Sequence, residues 1–327
     1  MKKFVNDVDS LLVESLQGLA AAHADLLRLH MDPLYVTRRE PAKKKVALIS
    51  GGGSGHEPLH CGFIGKGMLD AACPGQVFTS PTPDQMLAAA EAVDTGQGVL
   101  FIVKNYAGDV MNFQMAVEMM DRPCATVLVN DDVAVERSTH TTGRRGVAGT
   151  LVVEKLVGAA AEMGASLEQC KVLGDRVNSC TASMGVAFTS CTVPAAGRAT
   201  FDIGEGEMEF GVGIHGEPGR RRGPVRPAQE LVDELMAAIL GDLKPARGSE
   251  VLLHVNGFGG TPLIELYLLY HCATKVLERE GLKVARSLVG NYTTALEMAG
   301  GSLTVTQMDE EMKSLWDAPV HAAALRW

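Results

Sequence analysis

What this chain lacks narrows its chemistry before any motif is read. No window reaches the roughly 18 apolar residues of a membrane span, and the opening MKKFVNDVDSLLVESL places Asp7, Asp9 and Glu14 where a secretory signal needs an unbroken apolar core. A cytoplasmic protein is expected, without a membrane partner. Positive charge is in deficit, with a formal net charge of -9 at pH 7, so the chain is not built to displace counterions from nucleic acid. The one basic cluster, Arg220 to Arg222 between glycines, reads as a solvated loop. The seven cysteines are odd in number and none has the two-residue separation of a zinc knuckle or redox pair, so they are expected as buried, reduced thiols. Aromatic residues make up only 5%, whereas hydrophobic residues reach 46%. That is the composition of a globular protein with ample core.

Two phosphate-binding motifs are missing as well. The only Gly-Lys near the first glycine cluster, Gly65-Lys66, has His60 at the Walker glycine position and Gly67 where a Ser or Thr is needed. The dinucleotide pattern started at Gly51 ends on His56 instead of glycine.

What is present alternates. Apolar steps of three and four residues from Val5 to Leu29 predict an opening helix. Short β-compatible runs (KKVALIS, QVFTS, GVLFIV, CATVLVN) then alternate with helical ones (PDQMLAAAEAV, MNFQMAVEMM), which predicts a mainly parallel α/β sheet. Two helical stretches follow, GVAGTLVVEKLVGAAAEMG and SLEQCKVLGDRVNSC. A second series of strand candidates comes next: SMGVAF, EFGVGI, EVLLHVN, KVARSLVG and SLTVTQM, with helices at AQELVDELMAAIL and TPLIELYLLYHCATKVLERE. The expectation is two α/β domains, residues 1–182 and 183–327, with a substrate cleft between glycine-rich loops. Ligand sites in such folds favour the carboxyl ends of parallel strands and domain seams.

Three stretches carry candidate chemistry. LISGGGSGHEPLH follows a strand with Gly51, Gly52, Gly53, Ser54 and Gly55, then His56. The glycines are expected to form a loop that brings bare backbone N–H groups to a small polar ligand, with Pro58 starting a helix. FIVKNYAGDVMNF sets Lys104 and Asp109 around a turn at a strand end, either as a surface pair or as an ammonium and a carboxylate facing one crevice. EMEFGVGIHGEPG surrounds His215 with glycines; such a histidine is commonly structural, but a neutral imidazole open to close approach can also attack a carbonyl. SGHEP and IHGEPG echo each other in different predicted domains, an arrangement that would let His56 and His215 share one cleft.

These stretches, together with CGFIGKGML, FTSPTPDQM, DDVAV, GRRGVAGT, EKLVGAAAE, CTVPAAG and the tail LWDAPVHAAAL, resemble the substrate-binding K subunit of bacterial dihydroxyacetone kinases of the phosphoenolpyruvate:phosphotransferase type, from Met1 almost to Trp327. The resemblance implies that His215 attacks the ketone carbon of dihydroxyacetone to form a hemiaminal. It implies that His56 and Asp109 bind the substrate's oxygens and take a hydroxyl proton, and that Gly53, Ser54, Gly55 and Lys104 line the substrate. It further implies a homodimer that holds no cofactor or metal of its own, served by an L subunit carrying ADP/ATP with Mg and by a phosphotransferase-system M subunit. A covalent anchor would select carbonyl compounds over glycerol and fix the hydroxyl for in-line transfer. Two alternatives stay open: a coactivator paralogue that senses dihydroxyacetone without turnover, and a kinase subunit for a four-carbon ketose. The short link GDLKPAR stands where some K subunits carry an insertion that bears on partner docking.

Overall fold

The computed structural model describes residues 2–134, 143–217 and 219–327; Val135 of the DDVAV stretch and Pro218 of the second histidine motif lie outside them. The first half comprises α1 (Leu11–Ala22), β1 (Leu27–Met31), β2 (Leu34–Arg38), β3 (Ala47–Ser54), β4 (Gly65–Lys66), β5 (Ala71–Val77), α2 (Pro83–Val93), β6 (Val99–Lys104), α3 (Ala107–Met119), β7 (Cys124–Val129), α4 (Gly149–Glu162) and α5 (Leu167–Ser179). Its sheet runs β1-β2-β5-β3-β6-β7, parallel from β5 through β7 with an antiparallel hairpin at the edge. ALIS and VLFIVK are apolar without alternation because both faces of these strands are covered. Leu48, Leu100 and Ile102 pack under α1, α4 and α5, whereas Ile49, Phe101 and Val103 pack under α2 and α3.

The second half comprises β8 (Thr181–Ala187), β9 (Glu207–Phe210), β10 (Arg221–Pro224), α6 (Ala228–Leu243), β11 (Glu250–Gly257), α7 (Leu263–Arg279), β12 (Lys283–Gly290), β13 (Gly300–Met308), α8 (Glu310–Asp317) and β14 (His321–Ala322). Its sheet runs β10-β9-β8-β13-β11-β12, antiparallel except for β11 beside β12. The chain then returns: Met312, Leu315 and Trp316 of α8 and Val320 and Leu325 beyond it join the core of the first sheet. Asp309 caps α8 by accepting from the Met312 amide at 2.8 Å.

The mixed α/β architecture agrees with the sequence reading; several elements do not. The opening helix stops at Ala22, because Leu27 and Leu29, which fit its period, lie in strand β1. Arg221 and Arg222 are an edge strand rather than a free loop, with Arg221 paired to Glu234 and Arg222 to Glu209. Gly211 turns the chain at a φ of 70°, so the strand EFGVGI ends at Phe210. No α-helix follows Pro58; a single 3-10 turn, Cys61–Phe63, does. All seven cysteines are free thiols, but Cys124 and Cys180 are only partly buried. No helix among the described residues is long and apolar enough to cross a membrane.

Candidate active site

The glycine run is not a loop. Gly51 to Ser54 are the last residues of β3, paired with β5 at Gly51–Cys73, Gly52–Pro74 and Gly53–Gly75. Close approach by other parts of the protein accounts for the residue type. A β-carbon at Gly53 would lie 2.6 Å from the Thr79 nitrogen and 2.7 Å from the Phe78 Cα, and one at Gly52 would run into the Lys104 ammonium. Phe78 holds a φ of 56°, a conformation costly for a bulky residue, and its ring covers the site. The Ser54 hydroxyl donates to Gly75 O at 2.7 Å, and the Gly55 amide donates to the Glu57 carboxylate at 3.0 Å. Both groups are thus engaged within the protein.

The loop carrying His56 is held by the second half of the chain. Leu296 N donates to Gly55 O at 2.8 Å, and the Thr294 hydroxyl donates to Glu57 O at 2.9 Å. His56 itself is fully buried, with Nδ1 2.7 Å from Thr294 O. A carbonyl can only accept, so Nδ1 carries the proton and Nε2 presents its lone pair. That Nε2 has no hydrogen-bond partner among the described residues. Burial first, then the charges of His215 and Lys104, lowers the His56 pKa well below the usual imidazole value, so the ring stays neutral.

His215 arrives on the glycine-bounded segment after β9, seated on an apolar cluster of Val212, Ile214, Phe258, Ala295 and Met298 drawn from several loops of the second half. Its ring centroid is 4.6 Å from that of His56, 4.3 Å from Tyr106 and 5.4 Å from Phe78, edge-on in each case. Glu217 orients it: the carboxylate accepts from the His215 amide at 3.0 Å, and its other oxygen lies 3.4 Å from Nδ1. Burial would raise the Glu217 carboxyl, but the hydrogen bond and charge of His215, with Arg145 nearby, bring it down to about 2. A carboxylate on the Nδ1 side leaves Nε2 as the free nucleophilic atom.

Asp109 and Lys104 are not a surface pair. Asp109 sits in the first turn of α3 and is 2% exposed; Lys104 ends β6 at 0%. Their charged groups are 3.8 Å apart, and Asp109 Oδ1, like His56 Nε2, has no partner among the described residues. The structure therefore gathers His56, His215, Lys104 and Asp109 around the ends of β3 and β6, where His56 Nε2, Asp109 Oδ1, Glu217 Oε1 and the Tyr106 hydroxyl are buried without a hydrogen-bond partner among the described residues. Sequence reasoning did not single out Phe78, Tyr106, Glu217 or Arg145. Glu217 stood within the histidine motif itself, whereas Arg145, which donates to Asp132 and to Gly211 O, gave no local signal. No cluster of His, Cys, Asp and Glu suited to a metal ion occurs among the described residues.

Comparison with known proteins gives the family. The Dak1 domain model matches residues 17–324. The chain is 49% identical to the PEP-dependent dihydroxyacetone kinase, dihydroxyacetone-binding subunit DhaK, of Escherichia coli, over 100% of this chain and 99% of that one. Among solved structures it is similar to the dihydroxyacetone kinase operon co-activator Dha-DhaQ, with a TM-score of 0.89 and 33% identity covering 95% of this chain and 97% of that one. It is also similar to the dihydroxyacetone kinase of C. freundii, with a TM-score of 0.88 and 36% identity over 98% of this chain and 60% of that one. The resemblance read from the motifs is borne out, and the chain belongs to the Dak1 family.

Proposed function

We propose that this protein anchors dihydroxyacetone as a hemiaminal on His215 Nε2 and presents the triose for phosphorylation by a nucleotide-bearing partner subunit. The observation that carries the reading is the juxtaposition of an oriented imidazole with two buried, unclaimed acceptors, His56 Nε2 and Asp109 Oδ1. Attack by Nε2 forms the C–N bond and moves the carbonyl π pair onto oxygen, which is protonated from solvent, while the ring becomes a cation; no group leaves. Positive charge developing on the ring is balanced by Glu217. The substrate's hydroxyls find acceptors in His56 and Asp109, one of which takes the proton as the hydroxyl oxygen attacks phosphorus. Gly53, Ser54, Gly55 and Lys104 form the wall against which the triose lies. Nucleotide and Mg, which supply the phosphoryl group and neutralise its charge, belong to the L-type partner, recharged by an M-type phosphocarrier.

The test is reconstitution. The isolated chain given ATP, Mg and dihydroxyacetone forms no dihydroxyacetone phosphate, and an L-type subunit with its phosphoenolpyruvate-driven carrier restores turnover. Product from the isolated chain would overturn the division of labour. The likeness to the co-activator favours one second reading, a sensor that forms the adduct without turnover. An adduct with no product in the full mixture would select it.

A further inference from the structure

Beneath the glycine strand Lys104 leads into two buried titratable groups, His60 and Glu154, to which none of the roles above assigns a task. The Lys104 Nζ is 2.8 Å from His60 Nε2 and 3.4 Å from Gly51 O. On the other side of the ring, His60 Nδ1 is 2.7 Å from Glu154 Oε1 and 2.9 Å from Ser50 Oγ. The Ser50 hydroxyl donates to Ile102 O at 2.7 Å, so toward His60 it can only accept. Lys104 and Glu154 are 0% exposed and His60 is 5% exposed.

Donor and acceptor counting then favours one proton arrangement. With Glu154 ionised, Nδ1 faces two acceptors, its carboxylate and the Ser50 oxygen, so it carries the hydrogen; Nε2 is left to accept from the Lys104 ammonium, which has only donors. Burial raises the Glu154 carboxyl to about 8 against the charge of Lys104, so once it ionises the result is a neutral His60 in the Nδ1–H form between a charged Lys104 and a charged Glu154, the arrangement that meets the alkaline limb of turnover. A buried ammonium is tolerated only when paired and hydrogen-bonded. Here its anions are Asp109 on the substrate side and Glu154 behind the ring.

We propose that Glu154 and His60 are positioning residues that hold Lys104 as a fixed ammonium beside Asp109, so that the charge at the substrate site is set from behind the sheet. This rests on the reading that phosphoryl transfer takes place here. Lys104 is faced by His60, by Glu154 of α4 and by Asp109 of α3; His60 is faced in addition by His56, and Glu154 by Ser50. Burial lowers the Lys104 pKa, and the charges of Asp109 and Glu154 oppose that shift. Removing the Glu154 charge lets Lys104 lose its proton at lower pH. His60 also lines a cavity of about 410 Å³ below α1, bounded by Leu12, Leu16 and Gly52.

Glu154→Gln keeps the acceptor for His60 Nδ1–H and removes only the charge. With the nucleotide-loaded partner, its alkaline limb of turnover should move to lower pH by about one unit, the low end for a nearby opposite charge, and turnover on that limb should fall about ten-fold. Adduct formation with ¹³C-labelled dihydroxyacetone, followed at neutral pH, should stay near wild type. A pH profile superimposable on wild type would overturn the proposal and leave Glu154 a merely structural residue. A second measurement needs neither a variant nor turnover: ¹⁵N NMR of the histidine rings in the unmodified protein, taken above about pH 8 where Glu154 is ionised, should show His60 neutral with Nδ1 protonated. An Nε2–H tautomer or an imidazolium there would overturn the proposal even if the enzyme turns over. Wild-type protein that forms the adduct but never transfers phosphate, with His60 in the Nδ1–H form, would instead remove the kinase reading and leave the Lys104 arrangement standing.

Discussion

His56 and His215, drawn from the two halves of the chain, meet edge to face with their ring centroids 4.6 Å apart. One ring has its outer nitrogen fixed as an acceptor by Thr294, and the other is turned by Glu217. This division separates anchoring from proton transfer, so the two can be broken independently. His56→Asn or Asp109→Asn should reduce phosphoryl transfer by on the order of 10²–10⁴ and change adduct formation far less. Single-turnover rates beside adduct titrations read the two quantities, and equal losses in both would place these residues in anchoring.

Glu217→Gln should weaken the adduct itself. Replacing a charged acceptor by a neutral amide costs roughly 1–2 kcal/mol, about a ten-fold loss in apparent affinity, and slows capture because charge developing on His215 loses its counterpart. Stopped-flow or NMR titration with dihydroxyacetone checks this. Unchanged affinity would mean that the glycine-bounded loop orients His215 without help from Glu217.

Gly53→Ala tests the close approach of β3 to the loop that carries Phe78. The added methyl would stand 2.6 Å from Thr79 N and 2.7 Å from Phe78 Cα, both backbone atoms that cannot swing away. Overpacking of this kind costs roughly 1–3 kcal/mol. Thermal unfolding should show a lowered Tm, and substrate capture should weaken as the Phe78 ring is displaced. A variant as stable as wild type would show that the loop yields freely.

His254, in the middle of β11, provides a pH-dependent test of stability. Burial alone pushes it down to about 3 from an ordinary 6.5, and neither ring nitrogen has a partner among the described residues. Between about pH 6.5 and 3 the unfolded chain therefore binds a proton that the folded chain does not, so stability falls as pH drops through this window. The contribution is on the order of 5 kcal/mol when the window is fully crossed. His254→Leu, similar in volume, should resist acid unfolding better, with the gain appearing only below about pH 6.5. Parallel unfolding curves for the two proteins across that range would contradict the assignment.

Periodicity revealed most of the scaffold because parallel strands covered on both faces leave short apolar runs, and helices between them leave 3.6-residue spacing. It failed where another principle took over. Leu27 and Leu29 fit a helical period, yet pairing with β2 made them a strand. Gly51 to Gly53 have no side chains to signal β-structure; their pairing with Cys73, Pro74 and Gly75 does it. In the site, the two histidine motifs and the Lys104–Asp109 pair stood out because each joins reactive groups to glycine or to a strand end. The Lys104–His60–Glu154 chain was not legible. It is assembled from β6, the turn after Pro58 and α4, and no local spacing encodes it.

The central claim is the covalent bond to His215, and ¹³C NMR of the protein with dihydroxyacetone labelled at the carbonyl carbon tests it most directly. The account predicts that stoichiometric binding moves this resonance out of the ketone region to that of a carbon bearing one oxygen and one nitrogen, and that the shifted signal is lost in His215→Ala. A bound substrate whose labelled carbon stays in the ketone or hydrate region, in protein competent for turnover with its partner, would contradict it.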